Sequence, residues 1–215
     1  MKMADRKVAQ SNSNILKMRK SQERSKETRK KILKTAALCF SEKSYDGTSV
    51  ANICELAGVS KGAFFYHFTT KKLLFLELLD NWLEDLDRSI EEIIETSSNI
   101  PEALLKMTEI IKTVTNSSGG QLPLFLQFWS EASHDKEIWG ITNSHFKKYQ
   151  KCFAEIIDKG IKEGSIKKID SNIASDVVIS FAIGLLLQEL IDPEREDWEK
   201  ISKDGFKIIL ESLKR

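Results

Sequence analysis

Little in this sequence interrupts a helix. Three prolines and ten glycines punctuate 215 residues, so long helices are the expected consequence. Cysteine is equally scarce. Cys39, Cys54 and Cys152 are odd in number and include no Cys-x-x-Cys pair, which excludes a disulfide framework and a cysteine zinc site. Each stands beside apolar residues and reads as a buried reduced thiol. Residues 1–24 are basic and polar, without the apolar stretch of a secretory signal. The longest apolar run, Val177 to Leu187, falls short of the roughly 17–25 residues that span a bilayer. These features lead to the expectation of a cytoplasmic protein without a membrane segment. Catalytic patterns are missing as well: no His-Glu-x-x-His, no Gly-x-Ser-x-Gly, no phosphate loop and no dinucleotide glycine pattern. His67, His134 and His145 have no Asp or Cys at helical spacing. Asp135 directly follows His134, and adjacent helical residues do not face each other. Neither an enzyme nor a cofactor nor a metal site is expected.

What is present is a chain that can fold and that divides by charge. Hydrophobic residues make up 41% and charged residues 30%, a globular rather than a disordered balance. The formal net charge is only +1, yet residues 1–72 hold 16 Lys/Arg against 6 Asp/Glu (net +10) and the remainder 17 against 26 (net −9). A basic first third joined to an acidic rest is expected to meet a polyanion at one end. Part of the excess lies in residues 1–31, so a solvated basic tail accounts for it equally well.

The apolar spacing reads as all-α, with about nine helices and no strand pattern. Residues 1–24 are expected to be a flexible basic arm. A first helix follows from Ser25, with Ile32, Leu33, Ala36, Ala37 and Phe40 at three- and four-residue spacing. Thr48 or Ser49 can cap a second helix, Val50 to Ala57, and Ser60 a third, Lys61 to about His67. Gly58 supplies the positive φ that a tight turn between them needs. Thr69 or Thr70 caps a fourth helix running toward Glu95. Further helices are expected from Glu102 to Thr115, over LPLFLQFWSEAS, from His134-Asp135 to Gly160–Gly164, from Ser171 or Asn172 to Asp192-Pro193, and from Trp198 to Leu213.

Two short helices joined by Ala-Gly-Val-Ser have the spacing of a helix-turn-helix. Such a unit projects its second helix into the DNA major groove, which is wide enough for one helix. The run AFFYHF then makes sense. Phe64 and Phe68 share one face and should pack against Ile32, Phe40 and Ile53. Lys61, Gly62 and Ala63 stand at the helix start, nearest the bases. Tyr66 and His67 can pack their rings while their tips reach phosphate oxygens. Lys71, in the first turn of the fourth helix, together with Thr48 and Ser49, offers further phosphate contacts. The same residues would also serve a plain helical bundle with aromatic anchors.

The stretch TRKKILKTAALCFSEKSYDGTSVANICELAGVSKGAFFYHFTTKKLLF, Thr28 to Phe75, resembles the DNA-binding domain of the tetracycline-repressor (TetR) family of transcription regulators. TRKKIL is similar to the start of the family's first helix, FSEKSYDGTSV to its exit, and AGVSKGAFFYHF followed by KKLL to the recognition helix and the start of helix four. The resemblance implies an N-terminal three-helix DNA-binding head, residues 25–72, on a larger helical effector-binding and dimerisation body, residues 73–215. It implies a homodimeric repressor released from a double-stranded palindromic DNA operator by a small-molecule effector. Carried over by position, the DNA-contacting residues are Arg29, Thr48, Ser49, Lys61, Gly62, Ala63, Phe65, Tyr66, His67 and Lys71. The chain departs from the family pattern at Phe65, where Tyr is frequent, at Ala63, where Thr is common, and at Lys72, where Glu is common. A non-specific architectural DNA-binding protein is the alternative reading.

Beyond that stretch, Val177 to Leu187 is apolar on nearly every side, so it must be covered all round. A twofold homodimer is expected, with Phe153, Ile157, Ile179, Ile183, Gly184 and Leu187 at a four-helix interface. Met107, Phe125, Phe128, Trp129 and Phe181 are expected to line a pocket for a hydrophobic or amphipathic ligand. Glu131, His134 and Glu189 are candidate polar contacts there. The same aromatic stripe would also serve as plain core.

Overall fold

A computed structural model describes residues 2–111, 121–192, 194 and 197–214. Its helices are α1 (Lys2–Lys43), α2 (Val50–Ala57), α3 (Lys61–His67), α4 (Lys71–Thr96), α5 (Ile100–Lys106), α6 (Gln121–Ala132), α7 (Lys136–Glu163), α8 (Ser171–Ile191) and α9 (Trp198–Leu213). Residues 108–111 are helical too. Among the described residues there is no strand, only an isolated antiparallel bridge between Ile166 and Lys214. The fold is all-α, as the spacing predicts. The expected helix end at Thr115, the break at 116–120 and Pro193 lie outside the described residues. α1 begins at Lys2, so it takes in the segment expected as a flexible arm. The chain divides into two compact units, Met1–Leu78 and Leu79–Arg215, and α4 contributes residues to both.

The first unit is built on caps and aromatic anchors. Ser49 closes a capping box at α2: its hydroxyl accepts from Asn52 N at 3.1 Å, and Asn52 Oδ1 accepts from Ser49 N at 3.2 Å. Ser60 Oγ accepts from Ala63 N at 3.1 Å, and Thr70 Oγ1 from Leu73 N at 3.0 Å. The α2–α3 turn depends on Gly58, which sits at φ 61°. Its N–H donates to Glu55 O and that of Val59 to Cys54 O, closing the helix end. Ile32, Ala36, Phe40, Ile53, Ala57, Phe64, Leu74 and Phe75 are fully buried. Phe40 meets Phe75 edge-on at 5.3 Å, and the Tyr45 ring lies 4.6 Å from Phe75.

The second unit follows the same logic. Asn99 caps α5, with Pro101 in its first turn. Asp135 caps α7 through the N–H groups of Glu137 and Ile138. α8 begins at Ser171, as expected, with Asp170 as its cap, and Asp197 caps α9. Ser175 Oγ, buried, donates to Gln150 O at 2.8 Å and ties α8 to α7. Lys167 N donates to Leu213 O, and Trp198 Nε1 to Asp192 O.

α8 is strongly apolar. At 21 residues, with a mean hydropathy of 1.7 over its most apolar window, it is long and apolar enough to cross a membrane by length and composition. The expectation of no such segment rested on the shorter uninterrupted run. Ala174, Ser175, Val178, Ile179, Leu185 and Leu186 are buried within the unit, so that face is protein core.

Gly58 supports a first prediction. A Cβ built there meets nothing closer than Lys31 Nζ at 3.6 Å, so the obstacle to a side chain is conformation and not space. Gly58→Ala should destabilise the first unit by about 1 kcal/mol, measured as a lower urea midpoint with an unchanged slope. An unchanged midpoint would show that the turn does not require the left-handed conformation.

Candidate nucleic-acid interface and body cavity

α3 places its side chains by helical phase. Phe64 is fully buried and Phe68 nearly so, with ring centroids 5.9 Å apart. Lys61, Gly62, Phe65 and Tyr66 are exposed, and Ala63 and His67 are half-buried. Phe65 lies edge-on to Phe64 at 5.3 Å and keeps half its surface in solvent, while Tyr66 is 78% exposed. The outward face therefore combines one cation, two small residues, a bare ring and a phenol. That combination can approach base edges closely and reach phosphate oxygens at its margins. Ser49 is exposed at the start of α2, where it caps the helix.

Three of the expected contacts are engaged inside the unit instead. Thr48 is 1% exposed, and its hydroxyl faces the carbonyls of Ser44 at 2.8 Å and Cys39 at 3.0 Å. Its side chain is withdrawn from the surface because it closes the α1 exit. Lys71 Nζ donates to Tyr45 O at 2.8 Å and Thr48 O at 3.0 Å and lies 4.0 Å over the Tyr45 ring. It acts as a clamp on the 45–48 loop. Arg29 pairs with Glu77, and its guanidinium lies 5.0 Å over the Phe68 ring. Sequence spacing finds basic residues in the right places but does not reveal loop carbonyls and acidic partners that compete for them.

The second unit holds a partly open cavity of about 180 Å3. α4 contributes Leu79, Trp82, Leu83, Leu86 and Ile90, and α6 contributes Phe125, Phe128 and Trp129. Thr142, His145, Phe146, Tyr149 and Phe153 of α7 and Val178, Ile179, Ala182, Ile183 and Leu186 of α8 complete most of the wall, with Met107, Ile110, Ile111 and Phe206. Among the described residues no Lys, Arg, Asp or Glu lines it. Trp82 and Phe125 lie 5.2 Å apart, Phe125 and Trp129 5.7 Å. The Tyr149 hydroxyl donates to Leu83 O at 3.4 Å, and burial raises that phenol's pKa well above its ordinary value. Among the described residues, no group of three or more His, Cys, Asp or Glu is placed to hold a metal ion.

Residues 32–78 match the family model described as bacterial regulatory proteins, tetR family. The HTH-type transcriptional repressor DhaR of a Mycobacterium species is 27% identical over 193 residues, covering 86% of this chain and 93% of that protein. The HTH-type transcriptional regulator TtgR of Pseudomonas putida is 39% identical over 70 residues, a third of each chain. Among solved structures, a transcriptional regulator from Saccharomonospora viridis in complex with choline superposes with a TM-score of 0.78. It is 22% identical, and the match covers 88% of this chain and all of that one. Residues 32–78 are thus a DNA-binding domain of the TetR type.

Within that family frame, four of the five expected pocket residues, Met107, Phe125, Phe128 and Trp129, do line the cavity. Phe181 does not. It packs edge-on against Phe206 at 5.2 Å, over Gly205, where an added Cβ would fall 2.4 Å from the Phe181 ring. Glu131, His134 and Glu189 are not in the wall either. Thr142 and His145 are, and sequence reasoning passed over both. Their signal is two polar residues in the register of the α7 apolar stripe that includes Ile138, Tyr149 and Ile156.

The residues expected at an interface on α7 and α8 do not share one exposed face. Ile157 is fully buried in the core beside Leu104 and Leu210. Phe153, Ile179 and Ile183 face the cavity. Of that set, Leu187 is exposed and Gly184 half-buried, with open space where a Cβ would stand. A helix apolar on all sides gives no sequence signal for which side is inside. The exposed apolar stripe is instead Ile173, Val177, Leu187 and Ile191, in step with Ser180 and Gly184.

The Lys71 clamp has a measurable consequence. Lys71→Met removes two charge-assisted hydrogen bonds and a cation–π contact, and should lower head stability in the DNA-free protein by roughly 1–3 kcal/mol. A lysine that only touched phosphate would leave the urea melt of the DNA-free protein unchanged.

Proposed function

We propose that this chain is a ligand-responsive, sequence-specific DNA-binding regulator of transcription. In this reading it works in the cytoplasm as a homodimeric repressor and leaves a palindromic operator when a small hydrophobic or amphipathic effector occupies the body cavity. The observation that carries the reading is the outward face of α3. Phe64 and Phe68 lock the helix, and Lys61, Gly62, Phe65 and Tyr66 stand free on the other side. The DNA set supported by exposure is Ser49, Lys61, Gly62, Ala63, Phe65, Tyr66 and His67. Relatives named as repressors, DhaR among them, support the direction of control. The apolar, aromatic-lined cavity, with α4 residues in its wall, supports effector control.

The dimer reading rests on the exposed stripe of α8. Ile173 is 61%, Val177 50% and Ile191 81% exposed, a surface that a second copy would cover. Two heads related by a twofold axis would read half-sites roughly 34–36 Å apart.

The test is selection of random duplexes by the full chain in the presence of excess competitor. Enrichment of one inverted repeat, with two protomers bound, is the expected result. Retention of unrelated duplexes with equal affinity, lost steeply as salt rises, would leave only phosphate attraction and favour the architectural reading. On the selected site, Lys61→Ala should lower affinity and reduce the salt slope by about 1. A slope equal to that of the natural chain would remove Lys61 from the DNA contacts. Val177→Arg should bring like charges together across the proposed axis and shift the protein to monomer at micromolar concentration in sedimentation. A dimer that persists unchanged would move the interface off this stripe.

A further inference from the structure

The body cavity has a polar corner that nothing in the protein satisfies. Thr142 and His145 both line it, one turn apart on α7. Thr142 Oγ1 and His145 Nδ1 are buried, and neither has a hydrogen-bond partner. Among the described residues they are the only two buried side-chain polar atoms in that condition. The other polar tip in the wall, the Tyr149 hydroxyl, is already directed at Leu83 O. Buried polar groups are almost always paired, and leaving them unpaired is unfavourable. Both residues line the cavity while their unpaired atoms lie just beneath its surface, so a small side-chain rotation would bring them to a partner that enters it.

The chemistry of that partner follows from what surrounds the two atoms. Among the described residues no Lys, Arg, Asp or Glu lines the cavity, so a carboxylate or an ammonium group would be buried there without a fixed counter-charge, which is costly. A neutral group avoids that cost. Thr142 can donate through its hydroxyl hydrogen, and an imidazole that carries its proton on Nε2 accepts at Nδ1. One group that accepts from the first and donates to the second is a hydroxyl. The size is bounded too: a dry cavity of roughly 150 Å3 takes a benzene ring, so about 180 Å3 suits a single substituted ring or a chain of similar volume. Trp82, Phe125 and Trp129 offer faces and edges against which such a ring can pack.

We propose that the cavity selects a small, neutral, largely apolar molecule bearing a hydroxyl group, an alcohol or a phenol, held by Thr142 Oγ1 and His145 Nδ1. This rests on the reading of the cavity as the effector site. A quaternary ammonium ligand held over the tryptophans is the competing chemistry, and it would leave both orphan atoms unpaired.

The test measures binding to the full-length protein by calorimetry with three probes: 4-ethylphenol, the matched hydrocarbon 4-ethyltoluene, and tetramethylammonium. 4-Ethylphenol should bind at least as tightly as 4-ethyltoluene, because its hydroxyl finds two partners. Thr142→Val and His145→Leu should each weaken 4-ethylphenol about tenfold or more and leave 4-ethyltoluene unchanged or tighter. Both variants should melt at or above the temperature of the natural protein, since each removes an unpaired buried polar atom. If 4-ethyltoluene binds tenfold or more tighter than the phenol, or if the variants weaken both probes equally, the hydroxyl assignment is wrong while the cavity reading stands. Binding of tetramethylammonium alone would overturn it in favour of cation recognition. Binding of none of the three would overturn the effector-cavity reading and this proposal together.

Discussion

Phe64 is fully buried in the middle of a seven-residue helix, and the outward surface of the head depends on it. A helix turns about 100° per residue, so fixing one side chain inward fixes where its neighbours point. Phe68, four residues on, repeats the anchor. Phe65 and Tyr66 fall to the outside, with Lys61 and Gly62 beside them one turn earlier. The turn at Gly58 and the cap at Ser60 fix where the helix starts, and the anchors fix its rotation. A helix this short has no stability of its own. Its position comes from packing, so what it offers to DNA is set by the core beneath it.

The same core takes up charge that would otherwise face the polyanion. Lys71 holds the 45–48 loop through two carbonyls and a tyrosine ring, and Arg29 is paired with Glu77 over Phe68. Both cations sit in the basic first third of the chain, where helix position and the family resemblance point them at DNA. In the DNA-free protein their geometry serves rigidity. This leaves a candidate surface of modest charge, in which close approach by Gly62 and Ala63 and the phenol of Tyr66 carry more of the contact than a row of lysines would.

The head was legible in the sequence because its signals are local. Ser49, Gly58, Ser60 and Thr70 act on groups within a few residues of themselves, and all four do in the structure what their positions predict. Helix boundaries in the body were legible for the same reason at Asp135 and Gly164, while α5 starts at Ile100 and not at the expected Glu102, because Asn99 caps it. What escaped were choices between faces. Thr48 could have capped α2, but the α1 exit claims its hydroxyl. α8 is apolar all round, and only packing decides that Ile179 and Ile183 face a cavity while Val177 and Ile191 face out. Phe181 looked like its neighbours in the stripe, yet the missing side chain at Gly205 gives it a different seat. Long-range partners of this kind leave no mark on spacing.

His145 shows the same limit from the opposite side. A lone histidine in an apolar stripe is most simply a packed residue with a satisfied ring. Here Nδ1 has no partner, and Thr142 one turn away shares the condition. Either atom alone could be an accident of packing, as a single unpaired group can be absorbed by a slight shift. Two on one wall, complementary in what they donate and accept, form a recognition element of defined polarity. The apolar wall around them strengthens that element, because a hydrogen bond shielded from water discriminates more sharply than one made at the surface. The scarcity of polar groups in the cavity is thus what gives the two that are present their selectivity.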